Sequence, residues 1–388
     1  MSGQFHHGIK VTEINTGVRT IQVISTAVIG LLCTGPAADV ATFPLNRPVL
    51  VTDIDDAISK AGATGTLKQA LTAIADQADP VIVVVRIDPG ANVAATNTAA
   101  IGSVVNGLGT GMQAFLAAQA LLGVRPRILG APGIDTLTVT TALTIIAKKL
   151  GAIAYAGCDT ATTVAEAITY RAGFSARELM LIWPDFSGVN PNSGNIGPAM
   201  AVARAMGLRA QIDTEQGWHK TISNVPVAGV TGITKDVHWD LQNLDSDSNL
   251  LNAAQITTLI NTGTGYRFWG NSTCSDDPLF RFESAARTAM ILKDTIAQGL
   301  LWAMDKPLHP SLARDIIETI NANFRSLKSQ GYIVDGKATL NPAANPSTEL
   351  AAGKLVIDYD FTPVAPLESL GLNQRITDKY YADFAARL

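Results

Sequence analysis

Two glycines and a lysine near the C-terminal end of the chain have the spacing of a phosphate-binding loop. Residues 331–337 read Gly-Tyr-Ile-Val-Asp-Gly-Lys, and in a P-loop such glycines and the lysine hold nucleotide phosphates. The motif also requires Ser or Thr directly after the lysine to bind Mg²⁺, but Ala338 stands there and Thr339 is one position late. The segment follows a helical pattern and precedes Asn341-Pro342, whereas a P-loop follows a strand and opens a helix. We therefore expect no nucleotide site here.

A second glycine-rich segment, Gly-Leu-Gly-Thr-Gly at 107–111, precedes a predicted helix at 113–122. Glycines before a helix allow a pyrophosphate to approach the helix N-terminus closely. Met112 stands where the dinucleotide motif needs its third glycine, and no clear strand comes before the loop. The segment therefore indicates a flexible connection.

Histidines and cysteines give no stronger signal for catalysis or metal binding. His219 and His238 lie in a loop-rich region close to four carboxylates, so an acid/base pair is conceivable, but the spacing does not require one. The adjacent pair at 6–7 would point to opposite faces of a strand, which disfavours a shared metal. Cys33, Cys158 and Cys274 are far apart and lack ligand spacing. We predict that they are small apolar fillers and that the protein uses no metal or cofactor.

Composition excludes two classes of partner. The 388 residues carry a net charge of −4 without a basic block, so binding to nucleic acid has no electrostatic support. No apolar run approaches the roughly 20 residues that a membrane span requires, and no secretory signal is present, so we expect no membrane insertion and assembly in the cytoplasm. Charged residues are only 16% of the chain, against roughly 25% in average soluble domains. Such a surface suits a protein covered by neighbours, although a compact monomer rich in alanine and glycine has the same composition.

The middle of the chain predicts an α/β domain. From Arg127 onward, apolar strands alternate with helices, which favours a parallel sheet covered on both faces. The predicted elements are strands at 127–131, 152–156, 179–183 and 266–269, and helices at 139–150, 163–173, 198–206 and 253–261. Residues 24–110 contain shorter apolar runs and predict a smaller outer α/β domain.

Two long helices are predicted after this region, at 280–304 and 311–330. The second has one apolar stripe, formed by Ile316, Ile320 and similar residues at spacings of three and four. Its other face presents three cations, Arg314, Arg325 and Lys328.

Both ends of the chain predict β-strands with few partners of their own. Apolar and polar residues alternate over 8–14 and again over 18–23, and the same pattern occurs at 354–361. A terminal strand has unpaired N–H and C=O groups and can find partners on another chain. The ends therefore indicate a protein that joins subunits.

Several stretches together resemble the tail sheath proteins of contractile bacteriophages, in particular the short sheaths of P2-like phages and R-type pyocins, within the wider family of contractile injection systems. The stretches that carry the resemblance are residues 5–14, 26–31, 43–52, 126–133, 229–232 and 265–271. They cover nearly the whole chain, and their order and spacing are specific although no single stretch is. One departure is Ser272, since the family has an arginine there; any ion pair from that position is in doubt.

The resemblance implies a structural protein without catalytic residues: a sheath subunit that polymerises helically around an inner tail tube and contracts to drive the tube through a bacterial envelope. Its partners would be further copies of itself, the inner tube protein, and the baseplate and tail terminator proteins. It would be found in the tail of a virion or phage-tail-like particle, assembled in the host cytoplasm. Arg314, Arg325 and Lys328 would face the tube.

The resemblance also implies that terminal arms exchange strands between neighbours. The residues expected to do so are Ile9, Val11, Ile14, Val18 and Ile21 in the N-terminal arm, and Leu355, Ile357, Tyr359, Phe361 and Ile376 in the C-terminal arm.

The predicted organisation is an α/β (α+β) fold with an arm at each end. The arm at 1–23 precedes the outer domain at 24–110, the core domain spans 111–350, and a C-terminal strand and arm occupy 351–388. Two alternatives remain open at this point. One is a cytoplasmic α/β enzyme that binds a nucleotide or small acid at the carboxyl ends of the strands after Arg127. The other is a different phage component of the tail tube or baseplate.

Overall fold

A computed structural model of the protein describes residues 21, 23–382 and 384. It contains a mixture of helices and strands, which confirms the predicted α/β class. The described strands, β1 to β15 in chain order, are Ile29–Thr34, Pro48–Val51, Ile82–Ile87, Val104–Val105, Leu108–Gly109, Ile128–Gly130, Ile153–Gly157, Leu179–Ile182, Phe186–Val189, Ile196–Pro198, Gly232–Ile233, Ile256–Asn261, Tyr266–Trp269, Ile333–Leu340 and Ile357–Pro363.

The described α-helices, α1 to α11 in chain order, are Ile54–Lys60, Leu67–Ala75, Val93–Ile101, Ala118–Leu122, Leu137–Leu150, Val164–Arg171, Ala201–Glu215, Asp247–Ala253, Glu283–Gly299, Pro310–Ser329 and Ser347–Ala351. Short 3₁₀ turns occur at Gly111–Ala117, Pro278–Phe280, Leu301–Ala303, Pro342–Ala344 and Lys379–Tyr381. Within the described ranges, no helix combines the length and the apolar character needed to cross a bilayer.

An eight-stranded sheet forms the centre of the fold, in the order β13-β12-β8-β7-β6-β1-β3-β2. The strands from β12 to β3 are parallel, and β13 and β2 are antiparallel at the two edges. Every residue of β1 and β3 is buried, because helices cover both faces of the sheet. Ile29 and Leu31 of β1 pack on the face that α2 and α7 cover, whereas Leu32 packs on the face covered by α5. The predicted parallel sheet with two covered faces is confirmed.

The main sheet extends across the boundary expected at residue 110. Strand β1 pairs with β3 on one side and with β6 on the other, in the register Ile29 to Ile82 and Ile29 to Ile128. Strands β1, β2 and β3 of residues 24–110 therefore belong to the same sheet as strands from later in the chain. The physical reason lies in β1 and β3, since these buried and mostly apolar strands need neighbours at their edges and helices on both faces, and part of these come from later in the chain.

Two local predictions are also wrong. The helix predicted at 253–261 is strand β12, which begins after Gln255 adopts a positive φ of 60°. Strand β12 is rich in β-branched residues, which favour strands. The flexible connection predicted at 107–111 is instead ordered: Asn106 and Gly107, with φ of 50° and 78°, form the two-residue turn between β4 and β5.

Candidate functional site

The C-terminal part of the chain forms a small unit beside the main sheet. Strands β14 and β15 pair with each other only, among the residues described, and we call them the C-terminal ribbon. Helix α10 lies against the ribbon because its apolar stripe is buried there: Ile316, Ile320, Phe324 and Leu327 pack with Ile333 of β14. The two long helices predicted from the sequence are confirmed as α9 and α10, although α9 ends at Gly299, earlier than predicted.

The ribbon corrects the expectation that the C-terminal strand lacks a partner in its own chain. Strand β15 pairs antiparallel with β14, with Ile357 opposite Leu340 at one end and Pro363 opposite Ile333 at the other. The P-loop-like segment 331–337 thus becomes a turn and the first half of β14, so its glycines and lysine lie along a strand and do not surround a phosphate. One edge of β15 is used by β14, and the opposite edge has no strand partner within the described chain.

The two faces of the ribbon differ in character. The inner face contacts α10: the rings of Tyr359 and Phe324 have centroids 5.9 Å apart, and Ala338 is buried. A Cβ on Gly336 would come within 3.0 Å of the Phe324 ring, so a larger residue there would have to displace the ring slightly. The outer face is exposed and mostly acidic. Its charged residues are Asp335, Lys337, Asp358 and Asp360.

The residues predicted for strand exchange fall into four groups, of which the last is Ile21, described below. Ile357, Tyr359 and Phe361 lie in β15 with their side chains toward α10, and Leu355 packs at the border of the same cluster. The side chain of Ile376 is 98% exposed, in a stretch without regular secondary structure after β15. Ile9, Val11, Ile14 and Val18 lie outside the described residues.

Ile21 is buried, with 7% of its surface exposed. It packs against α9, where a Cβ on Gly299 would come within 2.7 Å of its side chain. Ile21 is therefore held in a contact within its own subunit, which the sequence did not predict.

Further apolar side chains are exposed in the same C-terminal stretch as Ile376. Exposed fractions are 79% for Leu367, 68% for Leu370 and 82% for Leu372. Charge holds the stretch to the subunit at one point, where Arg281 pairs with Glu368 at 2.8 Å. A segment with several exposed leucines close together is typical of a surface that another protein covers.

The three cations predicted on one face of α10 are all exposed there. Two of them have acidic partners within the subunit: Arg325 pairs with Glu318, and Lys328 pairs with Asp335 of β14. The hydrogen bond from Lys328 lowers the pKa of Asp335. The face is therefore less basic than the three cations alone suggest.

A cavity of about 380 Å³ opens at the carboxyl ends of the parallel strands, where the enzyme alternative would place its substrate. Three carboxylates line it, but each accepts a hydrogen bond from a backbone N–H: Asp135 from Gly157 at 2.6 Å, Asp159 from Leu137 and Asp185 from Ala201. Lys235 is the cation that lines this cavity. A phosphate or an acid substrate would meet an excess of negative charge, so the geometry disfavours the substrates proposed for an enzyme.

Asp185, which lines this cavity, makes the stability of the folded chain depend on pH. Burial raises its pKa from 3.8 to about 6. The unfolded chain releases this proton near pH 4 and the folded chain near pH 6, so the folded state binds more protons between these values and its stability falls as the pH rises through that window.

We expect Asp185→Asn to reduce this loss of unfolding free energy by about 1 to 2 kcal/mol. The amide oxygen can still accept the hydrogen bond from Ala201, but the side chain no longer titrates. The expected effect is this small because Asp185 is partly exposed. Urea unfolding at pH 4, 5, 6 and 7 would measure it. An unchanged pH profile in the variant would contradict the assignment.

The histidines are not brought together with one another. The ring centroids of His219 and Tyr332 lie 4.4 Å apart. Burial lowers the pKa of His219, which favours its neutral form. The backbone of His238 donates to Asp247 instead. Cys33, Cys158 and Cys274 are buried free thiols, as predicted, and burial raises the pKa of each. Over the residues described, no three His, Cys, Asp or Glu side chains are arranged to hold a metal.

A buried ion-pair network, which we did not predict, joins the sheet to the C-terminal unit. Asp213 of α7 accepts from Arg209 at 2.7 Å and from Arg287 of α9. Glu283 of α9 accepts a hydrogen bond from Tyr155 of β7 at 2.8 Å and lies 3.4 Å from Arg209. All five side chains are buried. The detectable signal was two pairs of opposite charge at i and i+4, of which only Glu283 and Arg287 lie in a predicted helix, and such pairs are common on exposed surfaces.

Comparisons with known proteins identify the family to which the chain is similar. The model of the phage tail sheath protein central domain matches residues 107–274, that of the phage tail sheath C-terminal domain matches 275–377, and that of the tail sheath protein Gp18 domain III N-terminal region matches 26–87. The tail sheath protein of Escherichia phage P2 is 52% identical over 98% of this chain and 97% of its own length. The major tail sheath protein of Serratia phage KSP20 is 46% identical over 100% and 99%.

Solved structures share the fold. The sheath complex of an extracellular contractile injection system, PVC, in its contracted state has a TM-score of 0.71 at 15% identity and covers 98% of this chain and 100% of that one. The helical sheath of the anti-feeding prophage in its contracted state has a TM-score of 0.70 at 15% identity, with coverage of 96% and 98%. With three family models along its length and relatives at 52% and 46% identity over nearly the whole chain, this protein belongs to the phage tail sheath protein family.

Proposed function

We propose that the chain is the structural subunit of a contractile tail sheath, which polymerises helically around an inner tube and contracts to drive it through a bacterial envelope. The observation that carries the proposal is the C-terminal ribbon: an amphipathic two-stranded sheet whose apolar inner face is packed on α10, and whose outer edges have no strand partners in the described chain. Open strand edges that are stabilised from one side are suited to accept strands from other copies. Family membership supports the same role.

In this proposal the N-terminal arm, from about residue 8 to 23, adds to the ribbon of a neighbour, and the C-terminal segment after β15 reaches another. The exposed apolar residues at 367, 370, 372 and 376 support the second contact, since they would be covered only after assembly. Head-to-tail contacts that do not close into a ring generate a helix. The arms then act as hinges that keep subunits connected while rigid cores move past one another.

The proposal involves no catalytic step. Contraction without hydrolysis is possible if the extended lattice assembles in a state of higher free energy and is released by a partner at the baseplate. The partners of the chain would be its own copies, the inner tube protein, and the baseplate and tail terminator proteins, in the tail of a phage or phage-like particle.

Electron microscopy of the purified chain at rising concentration, with sedimentation to measure what stays in solution, tests this function. Regular hollow tubes support a self-assembling lattice. A discrete small oligomer at every concentration would contradict the proposal.

The exposed face of α10 is our candidate for contact with an acidic tube surface, through Arg314, Arg325 and Lys328. We expect the double substitution Arg325→Glu with Lys328→Glu to abolish co-assembly with the tube protein while polymerisation without the tube persists. Each exposed ion pair contributes only about 0 to 1 kcal/mol, but the loss repeats at every subunit. Co-sedimentation with purified tubes would measure the effect.

A matched control is Lys148→Glu with Lys149→Glu on α5, which makes the same change in net charge at two other exposed lysines. Equal co-assembly by the α10 variant and this control would contradict the assignment of α10.

A further inference from the structure

The segment that precedes the main sheet is held to the subunit by side chains alone. Residues 23–27 have no regular secondary structure, and within the described chain their backbone makes no hydrogen bond. Regular bonding begins at Val28, whose carbonyl accepts from the backbone N–H of Arg127 at 2.8 Å, and it continues in β1. We call Ile21 together with residues 23–27 the strap. A segment held in this way is expected to open at a lower free energy than the sheet.

A groove of about 550 Å³ lies between the strap and the wall behind it. The wall is formed by the C-terminal ends of α7 and α10 and by the rings of Trp218 and Tyr332. Protein interiors are normally packed without spaces of this size, so the strap makes fewer contacts with the wall than a fully packed segment would. Incomplete packing lowers the cost of lifting the strap away from the subunit.

One side chain, Ile21, acts as the latch of the strap. It occupies the space beside Gly299 in which any other residue would place its Cβ, since that atom would lie 2.7 Å from both γ carbons of Ile21. Gly299 is the last residue of α9 and does not have the positive φ that favours glycine. The close approach of Ile21 therefore accounts for the glycine, and the two residues form a fitted contact at the start of the strap.

We propose that the strap is a releasable tether, which leaves the groove as a unit when neighbouring subunits pull on the N-terminal arm, while the sheet from Val28 onward stays folded. The inference rests on the proposed polymerisation and adds a device that adjusts the connection between subunits. Extended chain spans about 3.3 to 3.6 Å per residue, so release would let the arm's point of departure shift by about 20 to 25 Å. Rigid cores would then slide by this amount without breaking the contacts of the arm.

Thiol labelling measures the opening of the strap in the full-length chain. Thr26 is 7% exposed, so the thiol of Thr26→Cys is protected while the strap is in place. Cys33 of β1 is fully buried and reports opening of the sheet in the same molecules. Below the concentration of polymerisation, we expect N-ethylmaleimide to modify position 26 at least about tenfold faster than Cys33. Equal rates at the two positions would overturn the proposal, because the strap would then open only together with the sheet.

Gly299→Ala tests the latch. Alanine has a higher helix propensity than glycine, so α9 itself is not weakened, but the added methyl group displaces Ile21. We expect labelling of Thr26→Cys to become about fivefold to tenfold faster while labelling of Cys33 is unchanged. In an Ile21→Ala background, Gly299→Ala should have no further effect, because the smaller side chain leaves room for the methyl group.

Gly173→Ala is the matched control for the latch, since a Cβ there would meet a single atom, at 3.4 Å, and its φ is also not positive. It should leave the labelling rate at position 26 unchanged. Equal acceleration by Gly173→Ala and Gly299→Ala would contradict the role of Ile21 as the latch.

A reversible cross-link tests whether release is needed for assembly. Ser25 of the strap and Ser326 of α10 are both exposed and line the groove. A chain with Ser25→Cys and Ser326→Cys, joined by a short bismaleimide that contains a reducible bond, should form no tubes at concentrations at which the unaltered chain polymerises. Reduction of the linker should restore tubes. Ser25→Cys alone, treated with the same reagent, is the control and should polymerise, since the three native thiols are buried.

The outcomes separate the strap from the proposed function. Failure of the unaltered chain to polymerise would overturn the function itself. Normal tubes from the cross-linked chain would overturn the releasable tether and leave the sheath function standing.

Discussion

Removal of residues 1–20 is expected to give a folded subunit that no longer polymerises. All of the described strands and helices lie after this segment, and the cut leaves Ile21 in its contact with α9. Terminal segments with few contacts to their own domain add little to its stability. Loss of an arm that adds to a neighbour's sheet, in contrast, removes a contact from every subunit of the lattice.

Three measurements on the truncated chain would test this. Thermal unfolding should occur within a few degrees of the unaltered chain, far-ultraviolet circular dichroism should be unchanged, and electron microscopy should show no tubes at concentrations well above the usual threshold. A chain in which residues 1–20 are replaced by a Gly/Ser sequence of equal length is the matched control, since it keeps the length without strand-forming residues and should also fail to polymerise. Tubes of normal width from the truncated chain would contradict strand exchange by this arm.

The central sheet was largely predictable because its strands carry a strong local signal. Strands such as β3, Ile-Val-Val-Val-Arg-Ile, are continuous apolar runs, and the helix–strand alternation after Arg127 indicates parallel pairing. Strand β12 was mistaken for a helix because a short apolar run has no decisive periodicity; its adjacent β-branched residues were the better indicator. The sheet shared by residues 24–110 and the later strands was not predicted, because sequence patterns do not reveal that β1 pairs with β6, a strand about 100 residues later.

The candidate site was less predictable, since it depends on pairing. The segment 331–337 resembles a P-loop without meeting its requirements and gave no strand prediction, and the partner strand β15 was expected to pair with other chains. Helix α10 covers the inner face of both strands and so stabilises their pairing within the subunit. The sequence did predict the apolar stripe of α10 that makes this contact. The cations on α10 were correctly predicted as exposed, but Glu318 and Asp335, which pair with two of them, could be identified only in the folded structure.

The buried network gives the prediction with the largest effect on stability. Asp213→Ala would leave Arg209 and Arg287 with Glu283 as their remaining carboxylate, and all of these groups are buried. Removing one partner of a buried ion pair leaves an uncompensated charge and costs about 3 to 5 kcal/mol. We therefore expect the free energy of unfolding to fall by about that amount, measured by urea denaturation in the chain lacking residues 1–20 so that polymerisation does not interfere.

Asp56→Ala on α1 is the matched control, because Asp56 also pairs with a cation four residues along its helix, Lys60 at 2.7 Å, but both side chains are exposed. That change should cost no more than about 0.5 kcal/mol. Equal losses in the two variants would show that burial does not matter for the network. A large difference would mean that α7 and α9, and with them the main sheet and the C-terminal unit, are joined by charges that cannot separate without unfolding. In the proposed sheath, where neighbours would act on the ribbon, such a connection would carry force between the ribbon and the core.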